Sequence, residues 1–360
     1  MDALPEASSR STTARRGRIA GGIAAGLLAA AALGLTGGIA SAQATAPGAD
    51  AEPARAEALV RASNAVIGLD VHVVEGARSA ETLGALRRGS GVVIGPDDLV
   101  LTIGYLILEA DRIDLVLDDQ RRVPATPVAY DLATGFGLVQ ALVPLPMPPA
   151  PLGQAAGVKD EEPLLFVSGG RGGQVSIAKL ESRREFAGYW EYFIEGALFT
   201  APARDDHSGA GLFNRDGELV GIGSLVVADA KGGGQRSPGN MFVPIDLLKP
   251  VFAELREQGR SSASSRAWLG LNCIEDSAGR LRVIRVGRDS PAEQAGIVAG
   301  DEIVAIDGQE VHQLAALWKA LWRGGADRDV RLAVKRGDAV SEQRLRSVDR
   351  ASNIRRARGI

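Results

Sequence analysis

From Val66 onward, apolar positions recur every second residue or in brief runs: VIGLDVHVV, GSGVVIG, LVLTI, IDLVL, VPATPVAY and GFGLVQAL. Gly, Pro and Asp separate them, the pattern of short strands joined by tight turns in an all-β barrel or sandwich. The pattern continues through LLFVSGG, QVSIAKLE, WEYFIEGA, GAGLFN, ELVGIGSLVV and MFVPI. Two segments depart from it. Ala54–Ala65 places Ala58, Leu59 and Ala62 at helical spacing, and Pro244–Gln258 places Leu247, Leu248, Val251, Phe252 and Leu255 on one helical face. GRSSASS, 259–265, reads as a small polar linker and the domain boundary. Beyond it the pattern is mixed: strands WLGLNCI, LRVIRV, EIVAIDG and VRLAVKR around short helices at Pro291–Ala295 and about Leu314–Trp322. Residues 344–360 carry many arginines and little apolar character, and read as a solvated basic tail.

The N-terminus has a different logic. Arg15, Arg16 and Arg18 precede an uncharged Ala/Gly/Leu-rich run, Ile19–Ala40, which ends in the small-residue sequences ASA and AQA. A cleaved signal peptide over 1–44 fits this arrangement, and so does an inner-membrane anchor formed by 19–40. Both predict an exported, periplasmic protein. Residues 45–53, TAPGADAEP, read as a linker. The 360-residue chain is 45% hydrophobic and 24% charged, enough for two folded domains with proper cores. Only 4% is aromatic, so those cores must be built largely from Val, Leu, Ile and Ala. A net charge of −3 gives no reason to expect nucleic acid. One cysteine and three scattered histidines give no metal-ligand spacing, and no cofactor is expected.

The candidate chemistry lies in DHSGAGLF, Asp206–Phe213, where Ser208 sits on a Gly-rich turn before an apolar strand. A serine hydroxyl needs a base within hydrogen-bond reach to become a nucleophile. Together with GSGVVIGPDDLVLT, PLGQAAGVKDEEPLLFVSG and DSPAEQAGIVAGDEIVAIDGQEV, the segment SGAGLFNRDGELVGIGS resembles the HtrA/Deg family of exported serine proteases. The resemblance runs from about Ala54 to Arg336. It implies a mostly β chain: a trypsin-like double six-stranded β-barrel over 54–258, then a small α+β PDZ domain over 266–343. It also places Trp268–Leu271 (Trp268, Leu269, Gly270, Leu271) in the loop that holds a peptide's terminal carboxylate, with Leu317, Ala320 and Leu321 lining the side-chain pocket.

Read position by position, the resemblance breaks at the chemistry. In LTIGYLILEAD the place of the general-base histidine falls on Tyr105, and in DLATGFGLV the place of the orienting aspartate falls on Gly135. Asp206 stands where the oxyanion-hole glycine is expected, two residues before Ser208. A phenol with a pKa near 10 is a poor base at neutral pH, and glycine orients nothing. The expectation is a pseudoprotease that binds peptides or protein C-termini through its PDZ groove. The alternative is an active endopeptidase pairing Ser208 with a non-standard base, for which the adjoining His207 is the candidate. His72 reads as a surface strand residue and His312 as a residue at a helix start. Partners implied by the resemblance are peptides, active HtrA relatives and further copies in a trimer. The chain's own end, Arg358–Gly359–Ile360, is a third candidate occupant of the groove.

Overall fold

The computed structural model describes residues 51–170 and 172–354. The N-terminal run expected to direct export, the first part of the expected 45–53 linker and the end of the expected tail lie outside the described residues. Helix α1 (Ala51–Asn64) starts earlier than expected, inside that linker. Pro53 is no obstacle there, because first-turn N–H groups have no intrahelical partner to lose. Among the described residues, no helix is long and apolar enough to cross a membrane.

The first barrel closes as β1-β2-β3-β6-β5-β4, from β1 (Val66–Val73), β2 (Leu86–Val93), β3 (Leu99–Ile103), β4 (Ala110–Val116), β5 (Arg122–Tyr130) and β6 (Phe136–Ala141). Two single-turn helices interrupt it: α2 (Ala80–Leu83) and α3 (Gly104–Ile107). The second barrel closes as β10-β11-β12-β9-β8-β7. Its strands are β7 (Pro163–Val167), β8 (Val175–Gly188), β9 (Tyr192–Ala201), β10 (Gly211–Phe213), β11 (Leu219–Val227) and β12 (Gly239–Pro244). β3 is buried along its whole length, which is why LVLTI reads as a continuous apolar run rather than an alternation. The few phenylalanines concentrate in the second barrel, where Phe166, Phe199, Phe213 and Phe242 are fully buried. Phe166 and Phe242 meet edge to face at 6.1 Å. His72 is exposed near the end of β1, as its alternation with Val71 and Val73 implies.

The expected helix Pro244–Gln258 is split. A 3-10 turn at Ile245–Leu247 is separated from α4 (Phe252–Gln258) by Pro250, whose ring disfavours helical angles at Lys249 and whose nitrogen cannot donate.

The C-terminal domain is built on the sheet β14-β15-β16-β18-β19: β14 (Leu271–Glu275), β15 (Leu281–Val286), β16 (Glu302–Ile306), β18 (Asp329–Arg336) and β19 (Ala339–Arg346). β17 (Gln309–Glu310) pairs with β16, and β13 (Ala267–Trp268) pairs with β20 (Val348–Asp349). Helices α5 (Pro291–Gln294) and α6 (Leu314–Trp322) pack with the sheet, and Trp318 is the largest side chain fully buried there. His312 is exposed just ahead of α6.

The basic tail is a correction. Residues 344–349 are structured: Leu345 and Ser347 are buried, while Arg344 and Arg346 point outward, so arginine content hid a period of two. The domain therefore extends past 343.

Candidate functional site

The turn carrying Ser208 is held by backbone bonds from both barrels. The Ser90 N–H donates to the Ser208 carbonyl at 2.8 Å, the Gly209 N–H donates to the Gly223 carbonyl at 2.9 Å, and the Ala210 N–H donates to that of His207 at 3.0 Å. Gly209 has φ +74°, and a Cβ there would lie 1.9 Å from the Ser90 carbonyl oxygen. Only glycine fits such a position. Gly209→Ala is expected to cost about 2–3 kcal/mol of stability, read as a lowered unfolding midpoint.

Tyr105, on α3, reaches the serine. Its Oη is 2.7 Å from Ser208 Oγ and 2.8 Å from the Ser224 carbonyl oxygen. A carbonyl only accepts, so the single phenolic proton belongs to the Ser224 bond and Tyr105 Oη accepts from the serine hydroxyl. Burial pushes the Tyr105 phenol up to about 12, against the opposing pull of the Ser208 hydrogen bond. At neutral pH the serine therefore faces a neutral phenol.

At Gly135, where the sequence reading expects the place of the orienting aspartate, the space is filled by Tyr192. Gly135 has φ +81°, and a Cβ there would lie 2.6 Å from the Tyr192 hydroxyl. That hydroxyl, on β9, donates to the Thr134 carbonyl at 3.1 Å. Four residues back, Asp131 is fully buried and accepts from the Thr134 N–H (3.1 Å), the Thr134 hydroxyl (2.5 Å), the Ser261 hydroxyl (3.0 Å) and the Ser264 hydroxyl. It ties the first barrel to the inter-domain linker and takes no part at Ser208.

Asp206 turns away into a pair with Arg204, Oδ1 to Nε at 3.0 Å, and accepts from the Ser168 hydroxyl at 2.5 Å. Burial pushes its pKa up, but these hydrogen bonds outweigh it and hold the carboxyl below its usual range. The carboxylate is thus ionised and paired with Arg204. His207 Nδ1 is 2.9 Å from the Arg204 carbonyl, to which it donates, and burial lowers its pKa. Its Nδ1 is committed to the backbone, and among the described residues the hydroxyl bonded to Ser208 Oγ is that of Tyr105.

Beside Ser208 lies a cleft of about 280 Å³ whose walls include Gly68, Arg88, Gly89 and Ser90 from the first barrel and Ser168, Gly169 and Asp206 from the second.

Segment 268–271, expected to hold a peptide's terminal carboxylate, is not an open site in this structure. Leu269, Gly270 and Leu271 are buried, and the loop holds the carboxylate of Glu191 from the tip of the β8–β9 hairpin. The Leu271 N–H donates to Oε1 at 2.7 Å and the Leu269 N–H to Oε2 at 3.2 Å, with a further bond from Gly270. Burial pushes Glu191 up to about 7, against the opposing pull of Arg350 and these loop donors. Leu317, Ala320 and Leu321 are buried in the core of the C-terminal domain. The α6 side chains that meet the hairpin are instead Trp318, donating to the Gly188 carbonyl at 2.9 Å, and Lys319, 2.6 Å from Glu185. No local signal marked Glu191, Trp318 or Arg350; each acts through contacts with the other domain.

The comparisons with known proteins agree with this architecture. A family model described as a trypsin-like peptidase domain matches residues 89–222, and one described as a PDZ domain matches 267–346. A probable periplasmic serine endoprotease, DegP-like, of Halomonas elongata is 28% identical over 69% of this chain and 53% of its own length. A protein of the same name from a Marinomonas species is 31% identical over 62% of this chain and 49% of its own. The chain thus spans about half the length of the curated relatives it matches. Among solved structures, the HtrA-type protease AlgW with decapeptide has the same fold at TM-score 0.52 and 21% identity, covering 82% of this chain and 98% of that one. With two closed barrels, a PDZ sheet after them and a serine turn between, the chain belongs to the HtrA/Deg family.

Proposed function

We propose that this chain is an exported HtrA-like pseudoprotease that binds peptides or protein C-termini through its PDZ domain and modulates proteolysis in the cell envelope. The observation that carries the first half is the Tyr105–Ser208 hydroxyl pair, in which the serine hydroxyl is bonded to a neutral phenol. General-base removal of the serine proton by this partner then has no acceptor of suitable pKa. Peptide binding rests on the PDZ match and on a loop whose N–H groups already coordinate a carboxylate. The periplasmic names of the curated relatives support the exported address. Assembly as a trimer, or with active HtrA relatives, is the form modulation would take.

The relatives' naming as serine endoproteases favours one second reading, Ser208-dependent hydrolysis with an unorthodox base. Prolonged incubation of the purified chain with unfolded casein, beside a Ser208→Ala control, separates the two. No difference between the samples is expected. Cleavage by the unsubstituted chain alone would establish the second reading.

A further inference from the structure

We propose that the β8–β9 hairpin tip is an internal ligand of the PDZ groove, with the Glu191 side chain standing in for a peptide's terminal carboxylate, so that an incoming C-terminus must displace it. The proposal rests on the peptide-binding reading above and adds its regulation.

Three observations converge. Glu191 Oε1 and Oε2 take backbone N–H groups of the loop that begins β14, at 2.7 Å from Leu271 and 3.2 Å from Leu269. Two residues back in the hairpin, the Tyr189 carbonyl accepts from the Cys273 N–H at 2.8 Å. One backbone bond at 189–273 and one side-chain contact at 191–271 thus place the hairpin turn along the β14 edge, with its residues running opposite to those of the strand. β14 is that edge in its own sheet. On the other wall of the groove, the Trp318 indole N–H donates to the Gly188 carbonyl at 2.9 Å.

The hairpin is shaped for this role. Glu191 sits at φ +55°, a left-handed conformation that a glycine would adopt more readily. A side chain retained there, fully buried, points to a function for its carboxylate. Arg350 donates to the Glu191 carbonyl at 2.8 Å and supplies the nearby positive charge. Tyr189, Trp190 and Tyr192 brace the tip, with Trp190 and Tyr192 stacked at 5.4 Å and Tyr189 edge-on to Trp190 at 4.7 Å. Tyr192 also fills the space against Gly135. Displacement of the tip therefore pulls on the same tyrosine that occupies the old catalytic position, which joins groove occupancy to the barrel.

Two readouts on the purified chain test this. Hydrogen exchange measured on the segment 268–273 should show strong protection in the unsubstituted chain and loss of it in Glu191→Ala, with the β1–β6 barrel unchanged as the control for folding. The probe is a pool of fluorescein-labelled decapeptides of random sequence ending in Leu, Val or Phe, as free carboxylates and as C-terminal amides. Glu191→Ala should bind the carboxylate pool at least tenfold more tightly than the unsubstituted chain, and neither should bind the amides. Should the alanine variant fail to fold, Glu191→Gln keeps the shape and one acceptor oxygen, and should lose protection at Leu269 or Leu271. Unchanged protection in the folded variants overturns the internal ligand whatever the peptides do. Lost protection with equal peptide affinity in the two chains overturns the competition. Lost protection with no carboxylate-dependent binding keeps Glu191 as the ligand of the loop and overturns the peptide-binding reading instead.

Discussion

A chain carrying Tyr105→His together with Gly135→Asp is expected to remain without Ser208-dependent turnover. Restoring the residue types does not restore their geometry. Gly135 has φ +81°, and its missing Cβ would lie 2.6 Å from the Tyr192 hydroxyl, so an aspartate there meets both an unfavourable backbone and an occupied volume. Tyr192 cannot simply withdraw, because it is buried, bonded to the Thr134 carbonyl and stacked on Trp190. A histidine without a correctly placed aspartate loses about 10⁴ in rate through its tautomer and orientation. Asp206 remains as well, and loss of a single oxyanion donor costs about 10²–10³. Such factors do not multiply freely, since the groups act as one unit, but the oriented-histidine term alone takes the rate below ordinary detection. The measurement is release of fluorescence from labelled casein by the double variant, with and without Ser208→Ala. Serine-dependent release would mean that the tyrosine moves aside and that only the two side chains had been missing.

The second large effect is on stability. Asp131→Ala is expected to cost about 3–5 kcal/mol, the range for removing one partner from a buried charged network. Its carboxylate accepts from Thr134 twice and from Ser261 and Ser264; without it the two serine hydroxyls, 3.1 Å apart, can share one bond between them, while the Thr134 donors and the remaining serine proton lose their acceptor. At this chain length that corresponds to a fall of about 10 °C in the unfolding midpoint. Asp131→Asn, which keeps one acceptor oxygen, should fall between the two. Calorimetry of the three proteins decides the matter: a loss under about 1 kcal/mol for the alanine variant would mean that the linker is not clamped through this residue.

Much of this was legible before folding. Period-two alternation located most of the strands, because facing core or solvent depends on a residue's immediate neighbours. The Gly–Asp turn chemistry of the PDZ segment, with Asp307 and Gly308 both at positive φ, was equally local. Helix Leu314–Trp322 has the predicted bounds. The sequence reading was weaker where composition misled it. Arginines at 344 and 346 suggested a tail, although Leu345 between them is buried in a paired strand. Apolar spacing across Pro250 suggested one helix where the ring breaks it.

The candidate site divides along the same line. The sequence reading put Tyr105, Gly135 and Asp206 at the places of the usual catalytic groups on residue order alone, since a side chain either has or lacks a basic nitrogen or a carboxylate. What those places contain was decided by contacts across the chain. Tyr105 meets Ser208 103 residues away, Tyr192 fills the space at Gly135, and Glu191 reaches a loop 80 residues further on. A local spacing rule carries no information about such partners, because it describes how a segment presents its faces and not what arrives against them. The sequence alone thus determined where most strands fall and the domain class, a trypsin-like domain followed by a PDZ domain. Only the tertiary structure decided that the PDZ carboxylate loop is filled from within, because that depends on two domains being packed so that one hairpin tip lies along the edge of the other's sheet.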